Sequence, residues 1–71
     1  RTSVTIRELA PGRCKISLRT DPDELNASTV CALMGGGGHA AASGATLDLP
    51  VEETRAAVLD AIHQVKGSAL T

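Results

Sequence analysis

The sequence contains no phenylalanine, tyrosine or tryptophan among its 71 residues. Single-strand binders of the OB-fold and RRM types stack nucleobases on aromatic side chains, so this domain does not read bases by stacking. Seven Lys and Arg residues against eight Asp and Glu residues leave a formal net charge of −1. Because domains that grip long nucleic acid by general electrostatics are basic, this balance predicts that any phosphate recognition is local.

Cysteine and long apolar runs are scarce as well. Two cysteines, Cys14 and Cys31, are too few for a disulfide framework or a metal knuckle, and we expect reduced, buried thiols in a cytoplasmic protein. No apolar run approaches about 18 residues, so we expect neither a membrane span nor a signal peptide. A chain of this size buries only about 60% of its unfolded surface, which disfavours a deep enclosed active site. We therefore expect one domain over residues 1–71, excised from a longer cytoplasmic protein.

Clusters of metal-ligating or catalytic side chains are missing too. Asp21, Asp23 and Glu24 fall in one loop, and no second histidine stands three or four residues from His39. Hydrolysis of phosphoesters usually needs a metal or a paired acid and base. The sequence therefore predicts no catalytic residue and no metal or cofactor site in this chain.

What the sequence does contain is period-two alternation of apolar and polar residues. This pattern predicts strands over residues 4–8, 14–19 and 45–49. Pro11 and Gly12 lie between the first two segments, which predicts a hairpin. On the second strand Lys15, Ser17 and Arg19 alternate with apolar residues, so they share one face.

Two segments carry helix signals. Residues 27–34 have apolar residues at helical spacing after Asn26, a candidate N-cap, and Gly35 is placed to end that helix in a left-handed conformation. Residues 51–65 carry a clear apolar stripe, and we expect this helix to end at Lys66 and Gly67.

The predicted order is strand, strand, helix, strand, helix. It indicates an α+β fold in which helices cover one face of a small, mainly antiparallel, three-stranded sheet. Residues 68–71 are predicted to be a frayed tail.

Four consecutive glycines, Gly35 to Gly38, precede His39. Bare backbone lets N–H groups approach a ligand closely, and the imidazole can donate to a phosphate oxygen. A mobile glycine-rich linker is the alternative, but the patterned flanks favour an anion-binding turn. We further expect the residues after His39 to begin a new helical turn that offers its own N-terminus to the anion.

Arg19 ends the second predicted strand, a rigid position for a guanidinium fork that matches phosphate geometry. Together with the glycine amides and His39 it predicts a clamp that holds a phosphate or carboxylate while chemistry proceeds on another surface.

The segment Ile-Ser-Leu-Arg-Thr at residues 16–20, a helix, the run Gly-Gly-Gly-Gly-His at residues 35–39 and then Gly44 resemble the C-terminal DHH-associated domain of DHH-family phosphoesterases. The resemblance covers residues 4–65. It implies that the parent protein is a metal-dependent hydrolase, with two manganese ions in an Asp/His cluster of an N-terminal DHH domain. The smaller domain would close over the cleft and hold the substrate's phosphates.

Carried over to this sequence, the resemblance implies six substrate-phosphate-binding residues: Arg19, Thr20, Gly36, Gly37, Gly38 and His39. Arg19 and His39 would supply side chains, and the glycines a backbone cradle. Thr20 keeps the hydroxyl of the usual serine. Ala40 stands where several family members carry a basic residue, which favours a small substrate.

Among the family's types the sequence is most similar to the bifunctional oligoribonucleases that also dephosphorylate 3′-phosphoadenosine 5′-phosphate. The implied partners are a short RNA oligonucleotide or a small nucleotide, such as a linear dinucleotide, and the protein's own DHH domain, with homodimerisation of the parent left open. The alternatives are a RecJ-type single-strand exonuclease, a non-catalytic RNA-binding module of the alanyl-tRNA synthetase type, and a dimerisation module in which the glycines only allow close packing.

Overall fold

The structure, a computed structural model, describes residues 1–70, with side chains described through residue 67. The elements in chain order are β1 (Ser3–Ala10), β2 (Arg13–Arg19), α1 (Ala27–Ala32), β3 (Gly37–Gly38), β4 (Ala42–Leu47) and α2 (Val51–Leu70). The strands form one antiparallel sheet in the spatial order β1-β2-β4-β3. The predicted α+β fold with an antiparallel sheet is confirmed. The sheet has four strands, not the predicted three, because Gly37–Gly38 pairs with β4 as a short edge strand.

The β1–β2 hairpin follows from alternation and turn chemistry. Cys14, Ile16 and Leu18 are fully buried, while the residues between them are exposed. Gly12 has a φ of +77°, a left-handed conformation that glycine adopts without strain. The predicted third strand begins and ends earlier than expected, at Ala42–Leu47.

Helix α1 begins at the predicted N-cap but is shorter than predicted. The side chain of Asn26 accepts a hydrogen bond of 3.1 Å from the N–H of Thr29, as an N-cap does. The regular helix ends at Ala32, two residues before the predicted Met34, and the chain then turns. Gly35 has a φ of +80°, which confirms its role as the left-handed stop.

Helix α2 packs across the sheet through Thr54, Val58 and Ala61, all buried. The hydroxyl of Thr54 donates to the carbonyl of Leu49 at 3.2 Å, which satisfies it inside the core. Val51 begins the helix but remains 41% exposed. Neither described helix combines the length and hydrophobicity that a bilayer-spanning segment needs.

The end of α2 differs from the expectation. Gly67 was expected to end the helix, yet it lies inside a helix that continues to Leu70. Its φ is not positive, so the left-handed conformation that ends α1 does not recur there. Of the predicted frayed tail over residues 68–71, Thr71 and the neighbouring side chains lie outside the described part of the chain.

The sheet has two chemically distinct faces. The inner face, made by Cys14, Ile16 and Leu18 of β2 with Ala45 of β4, packs on Val30 of α1 and on α2. Residues paired across antiparallel strands project to the same side, so the register defines the opposite surface. This outer face consists of Ser3, Thr5, Arg7, Lys15, Ser17, Arg19, Gly37, Ala42, Gly44 and Thr46.

Candidate functional site

Strands β3 and β4 form a tight hairpin that places His39. Gly37 pairs with Gly44 and Gly38 with Ser43. The N–H of His39 donates to the carbonyl of Ala42 at 2.8 Å, and the N–H of Ala42 donates back at 3.2 Å. The prediction that a new helical turn starts after His39 is therefore wrong. Residues 40 and 41 form a two-residue connection, and no helix N-terminus faces an anion there.

Arg19 and His39 lie in one row of the outer face. Arg19 is paired with Ala42 on one side of β4, and His39 is bonded to Ala42 on the other side. Their Cα atoms are thus two inter-strand spacings apart, about 10 Å. Both side chains are exposed. The register therefore brings the two predicted cationic or donor groups to the same side of the sheet.

Most N–H groups of the glycine run are already used within the fold. Gly35 donates to Ala32 at 3.1 Å, and Gly36 donates to Cys31 at 2.9 Å. Bonded pairs alternate along an antiparallel ladder. Since His39 and Ala42 form a bonded pair, the N–H of Gly37 points toward β4 and that of Gly38 points off the open edge of β3. The predicted row of free amides is reduced to the single N–H of Gly38.

Steric clashes explain why two positions of the run must be glycine, but they do not explain a third. A Cβ on Gly36 would lie 2.1 Å from the carbonyl oxygen of Gly44, and one on Gly38 would lie 2.8 Å from the Cα of Ser43. A Cβ on Gly37 would meet no atom within 4 Å. Packing therefore requires bare backbone at Gly36 and Gly38, whereas at Gly37 nothing within the domain does.

A shallow groove opens on the outer face at this place. It is lined by Lys15, Ser17, Leu18, Arg19, Gly37, Gly38, Ala42, Ser43 and Gly44. Three of the six predicted site residues line it, and they are Arg19, Gly37 and Gly38. His39 lies in the same row but outside the lining, and Thr20 and Gly36 are not part of it.

Thr20 supports the hairpin rather than the groove. Its hydroxyl donates to the carbonyl of Ala40 at 3.1 Å, and its N–H donates to the carbonyl of Ala41 at 3.0 Å. The N–H of Ala27 also donates to Ala40, at 2.8 Å. The end of β2 and the start of α1 thus hold the turn that carries His39. Thr20 acts as a positioning residue.

The electrostatics of the outer face come from residues that sequence reasoning only partly identified. Alternation places Lys15 beside Arg19 and puts Arg7 on the polar side of β1, but only the cross-strand register reveals that Arg7 lies opposite Lys15. In the described part of the chain, neither of the ion pairs involves Arg7, Lys15 or Arg19. The groove is therefore locally cationic although the chain as a whole is slightly acidic.

Among the described residues the potential metal ligands are dispersed, and both thiols are buried. Within residues 1–67 no group of three His, Cys, Asp or Glu side chains is placed to hold a metal ion. Cys14 and Cys31 are free and buried, as predicted. Burial raises the pKa of the Cys31 thiol, which keeps it protonated and a poor metal ligand.

Comparison with known protein families gives one match. The family model described as the DHHA1 domain matches residues 1–67, nearly the whole chain. No curated protein gives a significant match.

Proposed function

The chain belongs to the DHHA1 domain family of DHH-associated domains, and from that membership we propose that it binds substrate phosphates for a DHH-family phosphoesterase. In this proposal the outer-face groove holds the anionic end of a nucleotide. Metal-dependent hydrolysis, with manganese, takes place in a separate DHH domain of the parent protein. The observation that carries the proposal is the shared row of Arg19 and His39, two strands apart on a face free of ion-pairing partners.

The chemistry of this row suits a phosphate. A guanidinium presents donors in a fork that matches two phosphate oxygens, and its position at the end of β2 keeps the backbone fixed. The imidazole of His39 offers a further donor from the hairpin turn that Thr20 holds. The N–H of Gly38 points off the nearby sheet edge. It adds a third hydrogen-bond donor to the guanidinium of Arg19 and the imidazole of His39.

The substrate we propose is a short oligoribonucleotide or a small nucleotide, such as 3′-phosphoadenosine 5′-phosphate or a linear dinucleotide. The domain has no aromatic residue on which a long strand could stack its bases. The groove is shallow, and its positive charge comes from Lys15 and Arg19 on the outer face. Ala40 adds no charge to the turn, so the cationic surface is small and suits a short substrate.

The dimerisation alternative is less favoured by the structure. A self-association surface at the glycines would need an apolar area there, whereas the groove sets Lys15 and Arg19 beside Gly37 and Gly44. Burying two unpaired cations against a second copy is costly, because each would lose its hydration.

An NMR titration of the chain with adenosine 5′-monophosphate tests the proposal. We expect shift changes at Arg19, Gly38 and His39. Arg19→Gln should weaken binding by about 1.5–3 kcal/mol, the range for hydrogen bonds to charged groups, or about 10- to 150-fold. The Arg19→Gln protein should stay folded, since Arg19 is exposed.

The matched control is Arg55→Gln, which removes the same charge from the exposed side of α2. It should leave the affinity unchanged. Equal weakening by Arg19→Gln and Arg55→Gln, or shift changes confined to other surfaces, would contradict the proposed site. A strong preference for long single-stranded DNA over a two- to five-nucleotide RNA would instead favour the RecJ-type alternative.

A further inference from the structure

The outer face is organised in three rows that run across the strands. The first row is Arg7, Lys15 and Thr46, the second is Thr5, Ser17, Gly44 and Gly37, and the third is Ser3, Arg19 and Ala42. The first and third rows carry cations. The row between them has only hydroxyl side chains and bare glycine backbone.

The first row breaks a local rule of sheet stability. Arg7 and Lys15 are directly opposite each other, and like charges in that arrangement destabilise an antiparallel pair. No carboxylate compensates them on this face among the described strand residues. Glu8, the acidic residue of β1, is paired with the buried Cys14 and so projects to the other side. Arg13, farther along β2, has Asp48 as its neighbour, 3.9 Å away.

The middle row explains the glycine that packing leaves unexplained. Gly37 is next to Gly44 in the register, and a side chain on Gly37 would project into open space. Packing within the domain therefore does not require bare backbone at Gly37, and the missing side chain leaves a low floor between the two cationic rows. Ser17 adds a hydroxyl to the same floor.

We propose that Arg7 and Lys15 form a second phosphate subsite, and that the outer face binds an oligonucleotide whose chain crosses the small-residue floor from Arg19 to Lys15. This inference rests on the proposed function and narrows its substrate class. Lys15 and Arg19 are four residues apart on one strand, so their Cα atoms are about 13 Å apart. Because strand side chains stand roughly perpendicular to the sheet, the two charged groups keep about this spacing, which suits a chain of two or three nucleotides. A mononucleotide held at Arg19 does not reach the second subsite.

The test compares 5′-phosphorylated ligands of one, two and three nucleotides on the same chain, with affinities measured by NMR or calorimetry. Lys15→Gln should lower the affinity for the trinucleotide relative to that for the mononucleotide by roughly three- to tenfold, the scale of one exposed charge-assisted contact. The slope of log K against log salt for the trinucleotide should become shallower by about 0.7, as for one lost phosphate contact on a single strand.

Lys66→Gln is the matched control, because Lys66 is exposed on α2, away from the outer face. It should leave the ratio of the two affinities unchanged. An unchanged ratio in Lys15→Gln, while Arg19→Gln weakens every ligand, would overturn the second subsite and leave the proposed function in place. If Arg19→Gln weakens no ligand, the proposed function itself fails. Equal effects of Lys15→Gln and Lys66→Gln would show general electrostatics in place of a subsite.

Discussion

Within one strand, β2, neighbouring residues meet opposite surroundings. Cys14, Ile16 and Leu18 have no exposed surface, whereas Lys15 and Arg19, between and beyond them, are exposed in the cationic groove. The inner face follows the rules of stability, with apolar side chains packed against two helices. The outer face departs from them, with an uncompensated like-charge pair and a glycine that packing does not need. Local rules that are broken without a gain to folding are expected at functional sites.

The largest expected difference in the free energy of unfolding is between Leu18→Ala on the inner face and Lys15→Ala on the outer face. Leu18 is fully buried, so truncation should cost about 2–5 kcal/mol of unfolding free energy through lost burial and the cavity left behind. Lys15→Ala should change stability by less than about 0.5 kcal/mol, because Lys15 is exposed and has no ion-pair partner among the described residues. Urea denaturation followed by circular dichroism measures both.

A 71-residue domain has little stability to lose, so Leu18→Ala can leave no measurable folded state. Ile16→Val, which removes a single methylene from the same buried face, then gives the smaller and measurable loss of about 0.5–1.5 kcal/mol. A Lys15→Ala variant as unstable as either would mean that the outer face contributes to the fold, and the distinction between the two faces would be lost.

The next contrast lies within the glycine run, between Gly36→Ala and Gly37→Ala. The new Cβ at Gly36 would lie 2.1 Å from the carbonyl oxygen of Gly44, and relieving that overlap should cost about 1–3 kcal/mol or more. At Gly37 the new Cβ meets no atom and φ is not positive, so the stability should change by less than about 0.5 kcal/mol. Thermal or urea unfolding of the two single variants distinguishes them.

Similar losses for both glycines would show that the run acts as one rigid backbone unit, and that Gly37 is not specifically a floor residue. The Gly37→Ala protein can instead keep its stability and lose affinity for a phosphorylated trinucleotide. That result would show that Gly37 serves ligand binding and not folding.

Much of the fold was predictable because its signals are local. Alternation placed the hairpin strands, the side chain of Asn26 starts α1, and Gly35 ends it. Strand β3 could not be predicted in this way, since two glycines have no side chains to alternate and their pairing depends on β4. The predicted helix end at Gly67 is wrong, because a glycine without a positive φ does not stop a helix and α2 continues to Leu70.

The site was predictable in its residue types and less so in its geometry. Alternation along β2 alone puts Lys15, Ser17 and Arg19 on one face, as the register confirms. Which residues of other strands join them depends on pairing, so alternation along β1 gives the polar side of Arg7 but not its position opposite Lys15. The N–H of Gly36 donates to Cys31 as part of the local helix end that the left-handed Gly35 creates, so the predicted stop at Gly35 already implies that this amide is not free for an anion.

The smallest expected effect is a pH dependence of stability that comes from the buried thiol of Cys31. Cys31 lies in the core behind the inner face, and burial raises the pKa of its thiol above the ordinary value of 9.0. Above that value the unfolded chain releases the thiol proton while the folded chain keeps it. The contribution of Cys31 to the free energy of unfolding should therefore have its full value below pH 9.0. It should fall as the pH rises toward the raised pKa, by at most about 1.4 kcal/mol per pH unit.

Urea denaturation at a series of pH values from about 8 to about 10, with Cys31→Ala beside the unsubstituted chain, isolates this contribution. The variant has lower stability throughout because it leaves a cavity, so the comparison is between slopes. Every other side chain is common to both proteins, so its contribution cancels in the comparison. A shallower alkaline slope in Cys31→Ala would show that the inner face excludes even one weak negative charge, while the outer face keeps several cations exposed. Parallel slopes would mean that the folded protein admits solvent to Cys31, and that the inner face is less strictly apolar than its burial indicates.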